Sequence, residues 1–197
     1  MPKHRDHPID WQEAASPAER ALYRQAIGYE CRYFTDMTLE APRIKRKLLR
    51  HEILNGGEWR QTETDPPLVT IENGWSFRYQ EFPEDESGLC DTEERKIEIC
   101  RGLAGDSLKR TLLHEMIHAY LYMIPGALRE WLLLDLYERM KRHMPNRKLQ
   151  RFINSNAHMI MWENNHGTLF LLKSLELDRR CKWNCGTVFA YGREEWK

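Results

Sequence analysis

One stretch constrains this chain more than any other. Thr111 to Tyr120 contains His114-Glu115-Met116-Ile117-His118, the pattern His-Glu-x-x-His. On a helix, positions four apart lie one turn apart on the same face. His114 and His118 can therefore offer two imidazole nitrogens to one metal ion, and zinc is the ion this spacing suits. Glu115, beside them, can take a proton from a water at that ion. The pattern reads as the centre of a zinc hydrolase, and the rest of the chain as the fold that holds it.

The context supports a buried helix. From Ser107 to Ile124 there is no Gly or Pro. Leu108, Leu112, Met116, Ala119 and Met123 form one apolar stripe; Leu113, Ile117, Tyr120 and Ile124 form a second. The polar Thr111, His114 and His118 fall on one face. A helix apolar nearly all round is buried centrally, and histidines on it need partners. The plainer alternative is a pair of hydrogen-bonded core histidines without a metal.

At 197 residues the chain reads as one domain. Residues 1–15 are polar and read as a loose arm, with the domain over 16–197. Thirty Lys and Arg balance thirty Asp and Glu, so bulk charge selects no partner. No apolar run reaches the ~18 residues needed to span a membrane, and no apolar stretch follows the charged start Met1-Pro2-Lys3-His4-Arg5. The expected location is intracellular, nucleus or cytoplasm, and the five cysteines read first as thiols.

Ser16-Pro17-Ala18-Glu19 predicts a capped helix start, with Leu22, Ile27, Tyr29 and Tyr33 supplying apolar surface. A second helix over about 39–54 carries Arg43, Lys45, Arg46, Lys47 and Arg50. That face is either solvated or a contact for a nucleic-acid backbone. Leu68–Ile71 and Trp75–Tyr79 alternate around Asn73-Gly74 and predict a hairpin. Phe82 to Asp91 is acidic and reads as a loop; Lys96–Cys100 alternates again as a strand. Together these predict a small antiparallel sheet. Asp106 or Ser107 is the expected N-cap of the motif helix. Further helices are expected over about 127–143, 145–162 and 166–177, and a last strand over Thr187–Tyr191. Cys181 and Cys185 are half of a metal site at most and read as a local disulfide or free thiols. Cys90 and Cys100 flank a candidate hairpin that would bring them near each other.

Catalytic zinc usually has three protein ligands and one open position. His143, His158, His166, Glu138 and Glu163 are the candidates for the third, and spacing does not choose among them.

The run Leu112-Leu113-His114-Glu115-Met116-Ile117-His118-Ala119-Tyr120-Leu121, taken with His166-Gly167-x-x-Phe170, resembles the SprT-like metalloprotease family. That family includes the Spartan proteases, which degrade proteins crosslinked to DNA. Gly88-Leu89-Cys90 with Lys96–Cys100 resembles the strand before the family's active helix, and Thr187 to Tyr191 the strand after its His-Gly helix. The resemblance covers about residues 85–192. It implies His114, His118 and His166 as zinc ligands and Glu115 as general base. The fold it implies is α+β, a small antiparallel sheet packed on a central zincin-type active-site helix with additional helices. One departure is a helical insertion at about 124–163: some 47 residues, Ala119 to Asn165, separate the two motif elements.

The expected function is a zinc metalloendopeptidase for a protein or peptide substrate, with a role in DNA repair on DNA-associated or DNA-crosslinked proteins. DNA contact would fall to the basic clusters at Arg43–Arg50 and Arg139–Arg151. Two alternatives stand beside it. One is a non-enzymatic zinc-containing DNA- or protein-binding module; the other is a regulatory zinc peptidase with Glu163 as third ligand. Tyr120 and Tyr122 are the nearby hydroxyls, and Tyr122 shares the face of His118.

Overall fold

The computed structural model describes residues 14–34, 75–83, 86–124, 126–155 and 166–188. These form five helices and three strands: α1 (Pro17–Tyr33), β1 (Ser76–Gln80), β2 (Gly88–Asp91), β3 (Lys96–Cys100), α2 (Gly105–Met123), α3 (Gly126–Lys141), α4 (Asn146–Ser155) and α5 (Thr168–Cys181). The class is α+β, as expected. Several expectations fall outside the described residues: the arm, the basic helix over 39–54, the first strand of the predicted hairpin, His158, Glu163 and most of the last strand.

Helix α1 starts as its sequence requires. The Glu19 amide donates to Ser16 Oγ at 3.2 Å, and the Ser16 amide donates to Glu19 Oε2 at 2.8 Å. The other Glu19 oxygen accepts from the Tyr79 amide at 3.3 Å, so one cap also ties α1 to β1. Leu22, Tyr23, Ala26 and Tyr33 face the core.

The sheet differs from the prediction. Its order is β1-β3-β2, with β3 antiparallel to β2 but parallel to β1. It is mixed, not antiparallel. Alternation identifies a strand but carries no information on direction. Here the β2–β3 hairpin turns back and inserts β3 beside β1, which fixes the parallel pair. Central in the sheet, β3 is buried at Ile97, Glu98 and Ile99; Glu98 lies 3.4 Å from the Lys96 ammonium. The segment read as an acidic loop supplies β2 in its last four residues. Cys90 stands opposite Ile97 in the register, not opposite Cys100, so the two thiols do not face each other. Cys31, Cys90, Cys100, Cys181 and Cys185 are all free.

Helix α2 is the centre of the molecule. Leu112, Leu113, Met116, Ile117, Ala119 and Tyr120 are buried against the sheet, α1 and α5. The larger of these side chains contribute roughly 1.5–3 kcal/mol each by leaving water. Its start needs neither predicted cap. Gly105 takes φ +57, open mainly to glycine, and the helix begins there, with Ala104 as an N-cap that makes no side-chain bond. Asp106 sits in the first turn, where its charge suits the helix dipole.

Helices expected between the motif helix and His166 are present as α3 and α4. Leu132, Leu136 and Met140, spaced one turn apart, bury α3 mainly against α5. Helix α5 is sealed on nearly every side, including Lys173, Ser174, Glu176 and Asp178. Residues 185–188 form a turn, so Thr187 and Val188 do not open the strand expected there.

Candidate metal centre

The motif helix and the start of α5 meet at three histidines. His114 and His118 stand one turn apart on α2, and His166 lies two residues before α5 begins. One ring nitrogen from each falls within 4.8 Å of the others. His114 Nε2 and His166 Nε2 are 3.1 Å apart. Phe170, one turn into α5, packs on all three rings at centroid distances of 4.9, 4.6 and 4.6 Å. It backs the cluster with an apolar wall and limits where the imidazoles can turn.

The tautomer of His114 follows from its partner. Its Nδ1 lies 2.8 Å from the Val188 carbonyl oxygen, which can only accept. Nδ1 therefore carries the proton, and in the neutral ring the lone pair sits on Nε2, facing His166. A second-sphere carbonyl that leaves the other nitrogen free is the usual support of a metal-ligating histidine.

Burial controls the charge of the cluster. His118 is pushed down to about 2 by loss of water and by the neighbouring His114 and His166. Burial also lowers His166. Neutral imidazole is the form that binds metal. Glu115 behaves oppositely: burial alone raises its carboxyl to about 8. A cation on the histidines would favour the carboxylate and bring it back down. Three close imidazole nitrogens beside a buried acid, two of them on rings that burial holds against protonation, fit a metal ion chemically. The short separations suit one ion at the ~2.0–2.1 Å metal–nitrogen distance of zinc sites. Among the described residues this triad is the group that could hold a metal.

The lowered pKa values of His118 and His166 make a pH prediction. Measured in Glu115→Gln, where the neighbouring carboxyl cannot titrate, metal affinity should fall far less between pH 7.5 and 6 than three ordinary imidazoles would allow, because protons compete poorly for those two ligands. Three ordinary imidazoles titrating near 6.5 would lose about fifty-fold over that range. A loss of that size by chelator competition would mean that the ligands are not held neutral.

The triad opens into a cavity of about 530 Å³. Glu115 lines it beside the histidines; β2 forms one wall through Gly88, Leu89 and Cys90. Tyr122 is on the rim, 45% exposed, edge-on to Trp75. Tyr120 instead packs against Phe34 in the core. Arg129 reaches the cavity from the start of α3 and donates to the Leu121 carbonyl at 2.9 Å. Helix α3 thus reaches the rim through Arg129 while its buried face serves α5.

Gly88 allows β2 to lie against α2. A Cβ there would stand 2.7 Å from Thr111 Cγ2 and 3.1 Å from Glu115 Cγ and Oε1. Gly88→Ala should therefore displace the Glu115 side chain. A misplaced reacting group costs on the order of 10²-fold, so any reaction that needs Glu115 should slow about 10- to 100-fold with metal content unchanged. Full activity in the variant would show that Glu115 need not hold this position.

The other candidates for the third ligand separate from the site or lie beyond description. His143 is exposed past the end of α3, and Glu138 is exposed and paired with Lys141 at 2.9 Å. His158 and Glu163 are outside the described residues. Cys181 and Cys185 join no metal cluster among the described residues. The Val188 carbonyl and Arg129 were not foreseen. The first acts through its backbone and leaves no trace in residue type; the second is one arginine in a helix rich in charge. No family model, curated protein or solved structure matches the chain.

Proposed function

We propose that this protein is a zinc-dependent endopeptidase with His114, His118 and His166 as metal ligands and Glu115 as general base. One observation carries the reading: a buried glutamate, the buried His114 and the half-buried His118 and His166 line the same cavity. A purely structural ion would have four protein ligands and no use for a carboxylate beside them. A zinc ion held by the three histidines would supply a Lewis acid that lowers the pKa of water and polarises a carbonyl. Glu115 then takes a proton from the attacking water onto its carboxylate and passes it to the leaving amine nitrogen. The Val188 carbonyl holds the proton on His114 Nδ1, and Phe170 keeps bulk water from the far side of the rings.

The wall of the cavity supports a peptide as substrate. Strand β2 pairs with β3 on one side only; among the described residues its other edge has no strand partner. An extended peptide can add to such an edge through main-chain bonds. Leu89, 46% exposed on β2, offers apolar contact there.

This arrangement is also what the resemblance to the SprT-like family implies, and we propose membership on that ground. Action on DNA-associated proteins is part of the proposal. Of the cluster at Arg139–Arg151, Arg139 is taken up by Glu176, while Arg142, Arg147, Lys148 and Arg151 are exposed and free to meet phosphates. The cluster at Arg43–Arg50 lies outside the described residues.

The test is metal content and hydrolysis of a denatured protein substrate, measured on wild type with and without chelator, on Glu115→Gln and on His166→Ala. Wild type should bind about one zinc per chain and lose activity with chelator. His166→Ala should lose metal and activity together. Normal cleavage by chelated wild type or by Glu115→Gln would overturn the proposal.

A further inference from the structure

Asp178 lies in the last turn of α5, 1% exposed, away from the cavity. Its two carboxylate oxygens accept from two amides of the turn that follows. Gly186 N–H donates to Oδ2 at 2.7 Å and Val188 N–H to Oδ1 at 2.9 Å. Val188 is the residue whose carbonyl accepts from His114 Nδ1. A single residue thus links the carboxylate, through its N–H, to the histidine, through its C=O.

The turn is held at its other end as well. Trp183 N–H donates to the Asp178 carbonyl at 2.8 Å. Lys109 and Arg110 of α2 sit over the Trp183 ring at 4.9 and 5.5 Å. Lys182 and Gly186 take positive φ values of 59° and 90°, which reverse the chain beyond α5 and carry it back towards α2. Burying this carboxyl is costly: burial raises it to about 7, against the pull of the Val188, Gly186 and Thr187 amides and the Arg110 charge. The amides it gathers belong to the strip of backbone that reaches His114.

We propose that Asp178 is a positioning residue of the metal centre, clamping the 186–188 turn so that the Val188 carbonyl fixes the ring and tautomer of His114. It acts from the third sphere and touches neither metal nor substrate. The inference rests on the reading of His114 as a metal ligand. Outer partners of metal-bound histidines commonly change metal affinity by about 10- to 100-fold.

The experiment titrates cobalt(II) into metal-free wild type, Asp178→Asn, Asp178→Ala and Leu175→Ala. Affinity is read by chelator competition and by the cobalt absorption bands, and folding is checked by circular dichroism. Leu175 is a buried apolar residue of the same helix and controls for lost stability. Asp178→Asn keeps one acceptor oxygen but points an N–H₂ at one of the amides. It should fold and bind cobalt about tenfold more weakly, with Asp178→Ala weaker by up to about 100-fold. The cobalt bands should shift, and the His114 Nδ1 proton should exchange faster in the metal-free protein. Leu175→Ala should melt earlier with wild-type affinity. If the Asp178 variants bind like wild type while only their melting temperature falls, Asp178 merely caps its helix and the proposal fails. If wild type binds no cobalt, the metal centre itself fails and this inference falls with it.

Discussion

Glu115→Gln should bind zinc like wild type and hydrolyse peptides about 10²- to 10⁴-fold more slowly, the range that a positioned general base supplies. The amide keeps the shape of the side chain, so the contact with Gly88 and the fold of α2 persist. What it lacks is a basic oxygen. Metal binding should persist because the ligand nitrogens belong to His114, His118 and His166. The pH profile gives a second reading. In the metal-free protein burial holds Glu115 near 8, so it is mostly protonated at neutral pH. Zinc opposes that shift, and the acid limb of wild-type hydrolysis should therefore lie below pH 8. Gln at this position should remove that limb. Loss of zinc and activity together would make Glu115 a residue that supports the site rather than works in it. Unchanged hydrolysis would return the triad to a structural role.

The parts of this molecule that could be read from sequence are those where spacing maps directly onto a surface. His114 and His118 are four apart, so any helix places them together. Ser16 and Glu19 are three apart, and the capping box forms as expected. His166 is different. Some 47 residues separate it from His118, and no local rule reaches across them; only the likeness of His-Gly-x-x-Phe to a known element pointed to it. The mixed sheet was illegible because alternation is the same in either direction. Gly88 read as part of an acidic loop because its strand is four residues long. Its meaning appears only where β2 crosses α2. Asp178 is, in the sequence, one charged residue among several near a helix end, and Val188 contributes a carbonyl that every residue has. Such groups depend on where the chain folds back, which is a tertiary fact.

Glu176→Ala should be the most destabilising single change within α5, by about 3–5 kcal/mol, the usual cost of stranding a buried charge. Lys173 is fully buried, and its ammonium donates to the Tyr33 carbonyl and to Glu176 Oε2, both at 2.8 Å. The rings of Phe34 and Tyr120 lie 5.0 and 5.1 Å from it. Glu176 also takes Arg139 of α3 at 2.7 Å. One carboxylate therefore answers two cations in a site with almost no water. Removing it takes from Lys173 the carboxylate at 2.8 Å, which a neutral carbonyl and aromatic faces do not replace. For a domain whose whole stability is about 5–15 kcal/mol, that loss is large. Lys173→Met should cost less, since Glu176 keeps Arg139, and the Tyr33 carbonyl also accepts from Arg180 at 3.2 Å. Lys173→Met with Glu176→Leu should recover much of what Glu176→Ala loses, because both members of the buried pair are then uncharged and Arg139 keeps Asp135 at 3.1 Å. Urea midpoints of the three variants decide this; a loss under about 1 kcal/mol in Glu176→Ala would equate the pair with an exposed salt bridge. The position of the network gives it a consequence for the site. It joins α5 to the end of α1 and to α3, within two turns of Phe170. Where α5 sits determines where His166 meets His114 and His118. Variants that stay folded but break these buried charge contacts, which Leu175→Ala leaves in place, should bind metal more weakly, because His166 immediately precedes the helix that the contacts hold.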